Sequence, residues 1–518
     1  MYKLLLCWRY LLTRYIALAS VISVMLGVAT MIVVNAVMLG FTSEMKDRIH
    51  GIFADVIFQT YDMNRGFPNY EWHRAEIFKV AGDLIEELTP TVATKGMLSY
   101  QIDGTGSLAT FEVDIIGVDS LTQGKVSKIA EYLQHPKNRT NLSFDLRENG
   151  YDVQIGDGPI RERMHYAGWD YRRRRAAHIR WQQTLNAQQD APAPLIQNEE
   201  NDLPYNDPFA ALPRPEFTTF DMATEQHAGI IVGIGVSLYR RASEIDPETG
   251  KKAVMDELML IPGDDVTLSF LAADSKPRIQ SDTFTVIDLY ESKMVEYDRK
   301  LVFVPIEKLQ RLRGMVDVDS NTLTVTQILI KAKPGVDIDV LRDRLRSHFP
   351  EQFYNIKTWR DDQMDLLNAI FNELAILNVL LFLIFMVAGF GILAIFYMIV
   401  VEKQKDIGIL KALGAGSGGI MQIFLYYSLL LGIVGATLGL GLGLLIVKYI
   451  KEVAVILSYI LRSDVFSPEV YSFYEVPTEV DSLTVVCIIA GAIFIAVAAG
   501  VLPAMRAARV HPVETLRS

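Results

Sequence analysis

Four stretches of this chain contain no Asp, Glu, Lys or Arg: residues 15–43, 374–401, 412–447 and 482–505. About 20 helical residues cross a bilayer core, so each stretch is long enough to span one. Inside hydrocarbon every backbone polar group must be satisfied within the protein, which makes helix the natural form of such a segment. The chain is 50% hydrophobic and 21% charged, whereas soluble domains carry roughly 25% charge. Full disorder is excluded, and two cysteines, Cys7 and Cys487, cannot make a disulfide scaffold. The expected fold class is an integral membrane α-helical protein. It has four transmembrane helices and a large extracytoplasmic mixed α+β domain between helices 1 and 2.

Lys and Arg near helix ends stay in the cytoplasm. Residues 1–14 hold Lys3, Arg9 and Arg14 and no acid, and the apolar run after them exceeds the 7–15 residues of a signal-peptide core. It reads as a retained helix. Residues 402–418 and 506–518 also carry a basic excess, whereas 448–481 is rich in Asp and Glu. The expected order is a cytoplasmic tail (1–14), helix 1 (15–43) and an outer domain (44–373). Helix 2 (374–401), a cytoplasmic helix and turn (402–418) and helix 3 (419–447) follow. An outer loop (448–481), helix 4 (482–505) and a cytoplasmic tail (506–518) end the chain. Because the whole chain is −11, the acidic excess lies outside, and such a domain is a poor partner for nucleic acid.

Within the outer domain, Ile77, Val80, Ala81, Leu84, Ile85 and Leu88 share a helical face, which predicts a helix over 72–88 ending before Pro90. Strands are expected at 54–61, 91–101, 108–118, 258–270, 282–290, 301–305, 323–332 and 354–359, with a further helix at 337–348. Residues 120–226 read as an insertion, partly irregular. Seven arginines fall within 161–180, four of them consecutive (Arg172–Arg175), and 190–215 is rich in proline. The arginine run reads as a solvated helix or mobile arm, the alternative being a contact with membrane lipids.

Catalytic chemistry has no foothold. The eight histidines show no metal-ligand spacing, no GxxxxGK[ST] phosphate loop occurs, and no metal or cofactor is expected in these residues. The glycines of 414–419 lack the lysine of such a loop and read as a helix break. In helix 3, Gly435, Gly439 and Gly443 recur every four residues. Small residues on one stripe let backbones approach in lipid, either within one protomer or at a dimer seam. The link Glu402-Lys403-Gln404-Lys405-Asp406-Ile407-Gly408-Ile409-Leu410-Lys411-Ala412-Leu413-Gly414 is a charged amphipathic helix with a glycine stop. Such a helix is a handle for a soluble partner or a surface anchor.

That link, continued to Ala415, resembles the signature between the second and third spans of MacB/FtsX-type ABC permeases. Residues Pro503 to Arg517 resemble the carboxy-terminal motif of the same superfamily. The chain is most similar to its lipoprotein-releasing LolC/LolE branch. Ser292-Lys293-Met294-Val295-Glu296-Tyr297-Asp298 and Pro468-Glu469-Val470-Tyr471, with Val476, Pro477 and Asp481, resemble outer segments of that branch. Lys293 stands where that branch is expected to have glycine, and 120–226 is longer than usual.

The resemblance implies a non-catalytic permease subunit, with ATP and Mg bound by a separate cytoplasmic ABC ATPase. Coupling would fall to Glu402, Lys405, Asp406, Ile407, Gly408, Leu410, Lys411 and Gly414. Gly435, Gly439 and Gly443 would pack helices, and Met294, Glu296, Tyr297 and Asp298 would form the outer family segment. Implied partners are a second permease subunit, lipoprotein cargo, a periplasmic lipoprotein carrier and membrane lipids, at the inner membrane. MacB-like export of small molecules or peptides, or FtsX-like signalling to a cell-wall hydrolase, are the alternatives.

Overall fold

The computed structural model describes residues 15–102, 107–151, 162–189, 220–245, 252–273, 278–315, 322–461 and 477–509. The tail 1–14, residues 510–517 of the carboxy-terminal motif and residues 468–471 and 476 of the outer loop lie outside the described residues. Two compact units result: Met1–Asp47 with Gln363–Ser518, and Arg48–Asp362. The longer helices are α1 (Tyr15–Ile52), α2 (Tyr70–Ala81), α3 (Trp169–Gln189), α4 (Ile306–Arg313) and α5 (Ile338–His348). They continue with α6 (Met364–Glu402), α7 (Gln404–Ala412), α8 (Ser417–Lys448), α9 (Ile450–Leu461) and α10 (Ser482–Arg509). The helices α1, α6, α8 and α10 are long and apolar enough to cross a membrane.

Between apolar helices in lipid, association rests on close packing rather than on removal from water. The glycine stripe of α8 provides that packing. A Cβ added to Gly435 would lie 2.7 Å from Val24 Cβ, one on Gly439 2.7 Å from Val28 Cβ, and one on Gly443 3.1 Å from Ile32 Cβ. All three glycines are buried against α1 within a single protomer. Of the two readings of the stripe, the structure takes internal packing. Elsewhere Gly432 faces Ala496 of α10, Gly389 of α6 faces Ile495, and Gly27 of α1 faces Phe385. Asn35 is satisfied within α1, donating to the Met31 carbonyl at 3.0 Å.

The second unit is built on a nine-stranded sheet. Its strands are β1 (Val56–Thr60), β2 (Ile85–Gln101), β3 (Leu108–Val118), β4 (Ala228–Gly233) and a β5–β6 hairpin (Leu238–Ile245, Lys252–Leu258) that pairs separately. Then come β7 (Asp265–Leu271), β8 (Ile279–Tyr290), β9 (Leu301–Pro305), β10 (Gln327–Ala332) and β11 (Tyr354–Thr358). The units β1-α2-β2 and β10-α5-β11 interleave antiparallel in the order β11-β1-β10-β2, a split βαβ arrangement. The far half of β2 pairs with β3 on one side and β7 on the other, so β2-β3-β9-β4-β8-β7 closes on itself. Gly96 sits at the closure, where a Cβ would come within 2.6 Å of the Ser269 carbonyl oxygen. Val92, Leu98, Ile230, Leu268, Phe284 and Val302 belong to the core here.

Two expectations fail in this unit. The helix over 72–88 ends at Ala81, where the Gly82 N–H closes on the Phe78 carbonyl (2.8 Å). Ile85 and Leu88 instead enter β2, because β10 offers a ladder: Leu88 lies opposite Ile330 and is fully buried. Parts of the insertion over 120–226 are built into this unit. Ile129, Leu133, Leu142 and Leu146 join a buried cluster with Ile231, Ile287 and Phe303, and Met164 and Ala167 join the core of the closed ring.

The arginine run is a helix, but α3 turns Arg172 fully inward. Its guanidinium donates to Asp265 (2.7 Å), the Gly263 carbonyl (3.0 Å) and the Glu225 carbonyl (3.2 Å). Arg175 pairs with Asp264 and Arg173 with Glu148. The run therefore clamps α3 to the sheet, against the expectation of a solvated helix or mobile arm. Sequence charge alone hid this, since the two carboxylates that receive the arginines lie about 90 residues further along the chain.

Breaking a buried charge pair by removing one partner costs about 3 kcal/mol or more. Arg172→Ala should therefore lower the unfolding midpoint of the second unit by several degrees in thermal melts. A midpoint within one degree of the parent would contradict the clamp.

Candidate coupling site

The α6 helix stops at Lys403, whose φ of −95° and ψ of 10° break the run before α7 begins at Gln404. After Leu413 the chain turns through Gly414 at φ +94°, a left-handed conformation for which glycine carries no Cβ penalty. The α7 helix is thus a short rod between two breaks. Lys403 bonds Asp406 across one turn. Lys411 donates to the Ala508 carbonyl at 2.6 Å, placing a cation at the carboxy-terminal end of α10, where the helix dipole favours it. Arg506 lies over the Tyr397 ring at 4.5 Å.

The burial of α7 sorts the predicted handle residues into two sets. Ile407 is 3% exposed and belongs to the apolar cluster of the spanning helices with Phe396, Ile420 and Ala504; Gly408 is buried beside it. Those two hold α7 to the bundle, and Ile407 is not available to a partner as the sequence suggested. The reason is the helical period: Ile407 and Leu410 are three apart, yet the inward arc is narrow enough to take only one of them. Glu402, Lys405, Ile409 and Leu410 are exposed, Asp406 and Lys411 are half-buried, and Leu413 is 80% exposed at the tip. Ile409 and Leu413, left outside the predicted set, form the accessible apolar edge with Leu410. Their i, i+4 spacing was the signal that identifies them.

The outer family segment forms a second constellation, in the other unit. Lys293 adopts φ +62°, which explains why glycine is expected there. Asp298 accepts from the Ser292 N–H (2.8 Å) and the Ser292 hydroxyl (2.7 Å), closing the turn. Met294 and Tyr297 pack on the cluster containing Ile52 and Leu133, while Glu296 pairs with Lys300 at 3.0 Å on the surface. Burial pushes the Asp298 carboxyl up to about 7, against the Ser292 donors and with some help from Glu291. Asp288, fully buried, is pushed up to about 6 by burial. It accepts from Asn138 at 2.8 Å and from the backbone of 134 and 135. Among the described residues, no group of three or more His, Cys, Asp or Glu is arranged to hold a metal ion.

A family model described as FtsX-like permease C-terminal matches residues 378–512, which include α7 and both of its breaks. Among curated relatives, the chain is 29% identical over 235 residues to the lipoprotein-releasing system transmembrane protein LolC of Xylella fastidiosa, covering 45% of this chain and 55% of that one. It is 26% identical over 291 residues to LolC of Neisseria meningitidis, covering 56% and 64%. Similarity extends to the macrolide export ATP-binding/permease protein MacB of Neisseria meningitidis, 24% over 288 residues, covering 52% and 40%. The chain spans little more than half the length of the LolC proteins it matches. These similarities run to an FtsX-like permease model, to LolC and to MacB.

The buried carboxyl of the outer segment gives a pH test. Because the folded Asp298 pKa lies above the ordinary 3.8, folding favours the protonated form. The stability it contributes is present below about pH 4 and is lost as pH rises through about 7. The parent should therefore lose more melting temperature between pH 5 and pH 8 than Asp298→Asn does. Equal losses would show that Asp298 titrates normally.

Proposed function

We propose that this chain is the permease subunit of an ABC transporter in which a separate cytoplasmic ATPase, binding ATP and Mg, drives release of lipoproteins from the inner membrane. Both termini and α7 face the cytoplasm, and the Arg48–Asp362 unit lies outside. A second permease subunit completes the transporter, cargo enters from the outer leaflet, and a periplasmic carrier receives it. The observation that supports this most is α7 itself: a short helix inside an FtsX-like permease domain, anchored inward by Ile407 and presenting Ile409, Leu410 and Leu413 outward. Exposed apolar side chains between charged ones suit insertion into an apolar groove with a polar rim. The relatives named as lipoprotein-releasing proteins favour lipoprotein cargo.

Export of small molecules is the second reading, favoured by the MacB similarity. Purification from mild detergent followed by mass spectrometry separates the two. Release of lipoproteins predicts co-purifying lipoproteins and a stand-alone ATPase; export predicts neither lipoprotein enrichment nor a carrier.

The coupling residues can be tested without disturbing the bundle. Leu413→Asp and Ile409→Asp alter exposed side chains, so both variants should insert and fold. A carboxylate placed in an apolar contact is costly, and co-purified ATPase should fall at least about tenfold, equivalent to 1.4 kcal/mol. Ile407→Asp should instead lower the stability of the bundle. Wild-type ATPase recovery with Leu413→Asp and Ile409→Asp combined would place the handle elsewhere.

Leu367 and Ile370 of α6 are buried, and Lys46 of α1 lies 4.9 Å from the Phe371 ring centroid, so the outer ends of α1 and α6 pack as a pair. Two glycines inserted near Asn368 should leave ATP hydrolysis intact and reduce cargo release. Unchanged release by that variant would remove α6 from the coupling path.

A further inference from the structure

We infer that α9 is an interfacial helix, laying its apolar face into the lipid headgroup layer beside the end of α8. Residues 412–447 carry no Asp, Glu, Lys or Arg, and Lys448 is the first charge after that run. A lysine there marks where hydrocarbon gives way to headgroups, because its ammonium is costly any deeper. The α8 helix ends at the same residue. Tyr449 leaves helical geometry, with φ −108° and ψ 33°, and α9 starts at Ile450. The Val453 N–H donates to the Tyr449 carbonyl at 3.0 Å, closing the first turn of α9 at once. A second helix therefore begins at the depth where the first leaves hydrocarbon.

The register of α9 sorts its residues by polarity. At about 3.6 residues per turn, Ile450, Val453 and Ile456 fall on one side, and Lys451 and Glu452 fall on the other. The apolar side is not covered by the described residues: Ile456 is 59% exposed and Val453 37%. Water is a poor neighbour for two branched apolar side chains side by side on a helix. The lipid surface is the occupant that the position of α9 favours, since α9 is continuous with a helix long and apolar enough to cross a membrane. Its polar residues suit the same neighbour. The Lys448 ammonium lies 5.6 Å from the centroid of the Tyr449 ring, and that tyrosine is half exposed. Tyrosine and lysine together are side chains of the headgroup level, with apolar bodies and polar tips. A helix with one apolar face and a lysine-bearing polar face lies in the plane of the interface. This inference rests on α8 crossing the bilayer and is independent of what the protein transports.

The test uses the full chain in lipid nanodiscs, with Cys7 and Cys487 changed to serine and one nitroxide-labelled cysteine at a time. Relaxation of the label by oxygen, which concentrates in lipid, is compared with relaxation by a water-soluble nickel chelate. Labels at Val453→Cys and Ile456→Cys should favour oxygen and lie about 5–10 Å into the boundary between headgroups and acyl chains. Labels at Lys451→Cys and Glu452→Cys should favour nickel, so that the preference swings with the helical period. Nickel access at 453 and 456 equal to that at 451 and 452 would show a helix standing in water and overturn the inference. Shielding of 453 and 456 from both reagents would show a protein cover, a second copy included, and would overturn it equally. A label at Ile433→Cys, an exposed position midway along α8, should lie deeper than all of these. Nickel access at 433 would overturn the inference through its premise, that α8 crosses the bilayer, and that position alone distinguishes the two failures.

Discussion

The structure of the membrane unit depends on one constraint: in hydrocarbon, helices gain little by burying oil against oil, so they hold together only where backbones approach closely. Here that approach is made by Gly435, Gly439 and Gly443 against Val24, Val28 and Ile32. Val and Ile at those α1 positions are stiff at χ1 and fill the grooves left by the glycines with little loss of rotamer freedom. The fit joins α1 to α8, while Gly432 and Gly389 bring α10 against α8 and α6. Everything proposed about coupling requires these contacts, because a loose bundle cannot pass a displacement along a helix.

The α7 helix presents two different faces. At α7, one isoleucine faces in and three apolar side chains face out, so the rod is fixed on one side and available on the other. Within the Arg48–Asp362 unit, Arg48 donates to the Lys293 carbonyl and Ile52 joins a buried cluster. The α1 helix runs unbroken for 38 residues. In the proposed transporter, nucleotide-driven force enters at the exposed edge of α7.

Much of this was legible in the residues. The charge-free runs mark the four long helices, and the motif around α7 marks the stretch that matches the FtsX-like permease model, because both signals are local. The alternating strand near 108–118 and the apolar strand at 301–305 were visible for the same reason. What stayed hidden depends on partners far away in sequence. Ile85 and Leu88 fit a helical face until β10 supplies a ladder, and Arg172 looks solvated until Asp265 is brought to it. Ile407 reads as a contact residue for an outside partner because amphipathicity gives the existence of two faces without saying which neighbour covers each. The glycine stripe posed the same ambiguity, and only the position of α1 resolved it.

The central claim is that α1 and α8 move as one body, with no sliding at their glycine seam. Gly443→Cys with Ile32→Cys, in a background with Cys7 and Cys487 changed to serine, places two thiols across that seam. A Cβ at position 443 would lie 3.1 Å from the Cβ of Ile32, near the roughly 3.5–4.5 Å of a disulfide. After oxidation the cross-linked protein should still release cargo at a rate close to that of its reduced form. A cross-linked protein that hydrolyses ATP but no longer releases cargo, and recovers on reduction, would show that the two helices slide and would contradict the claim.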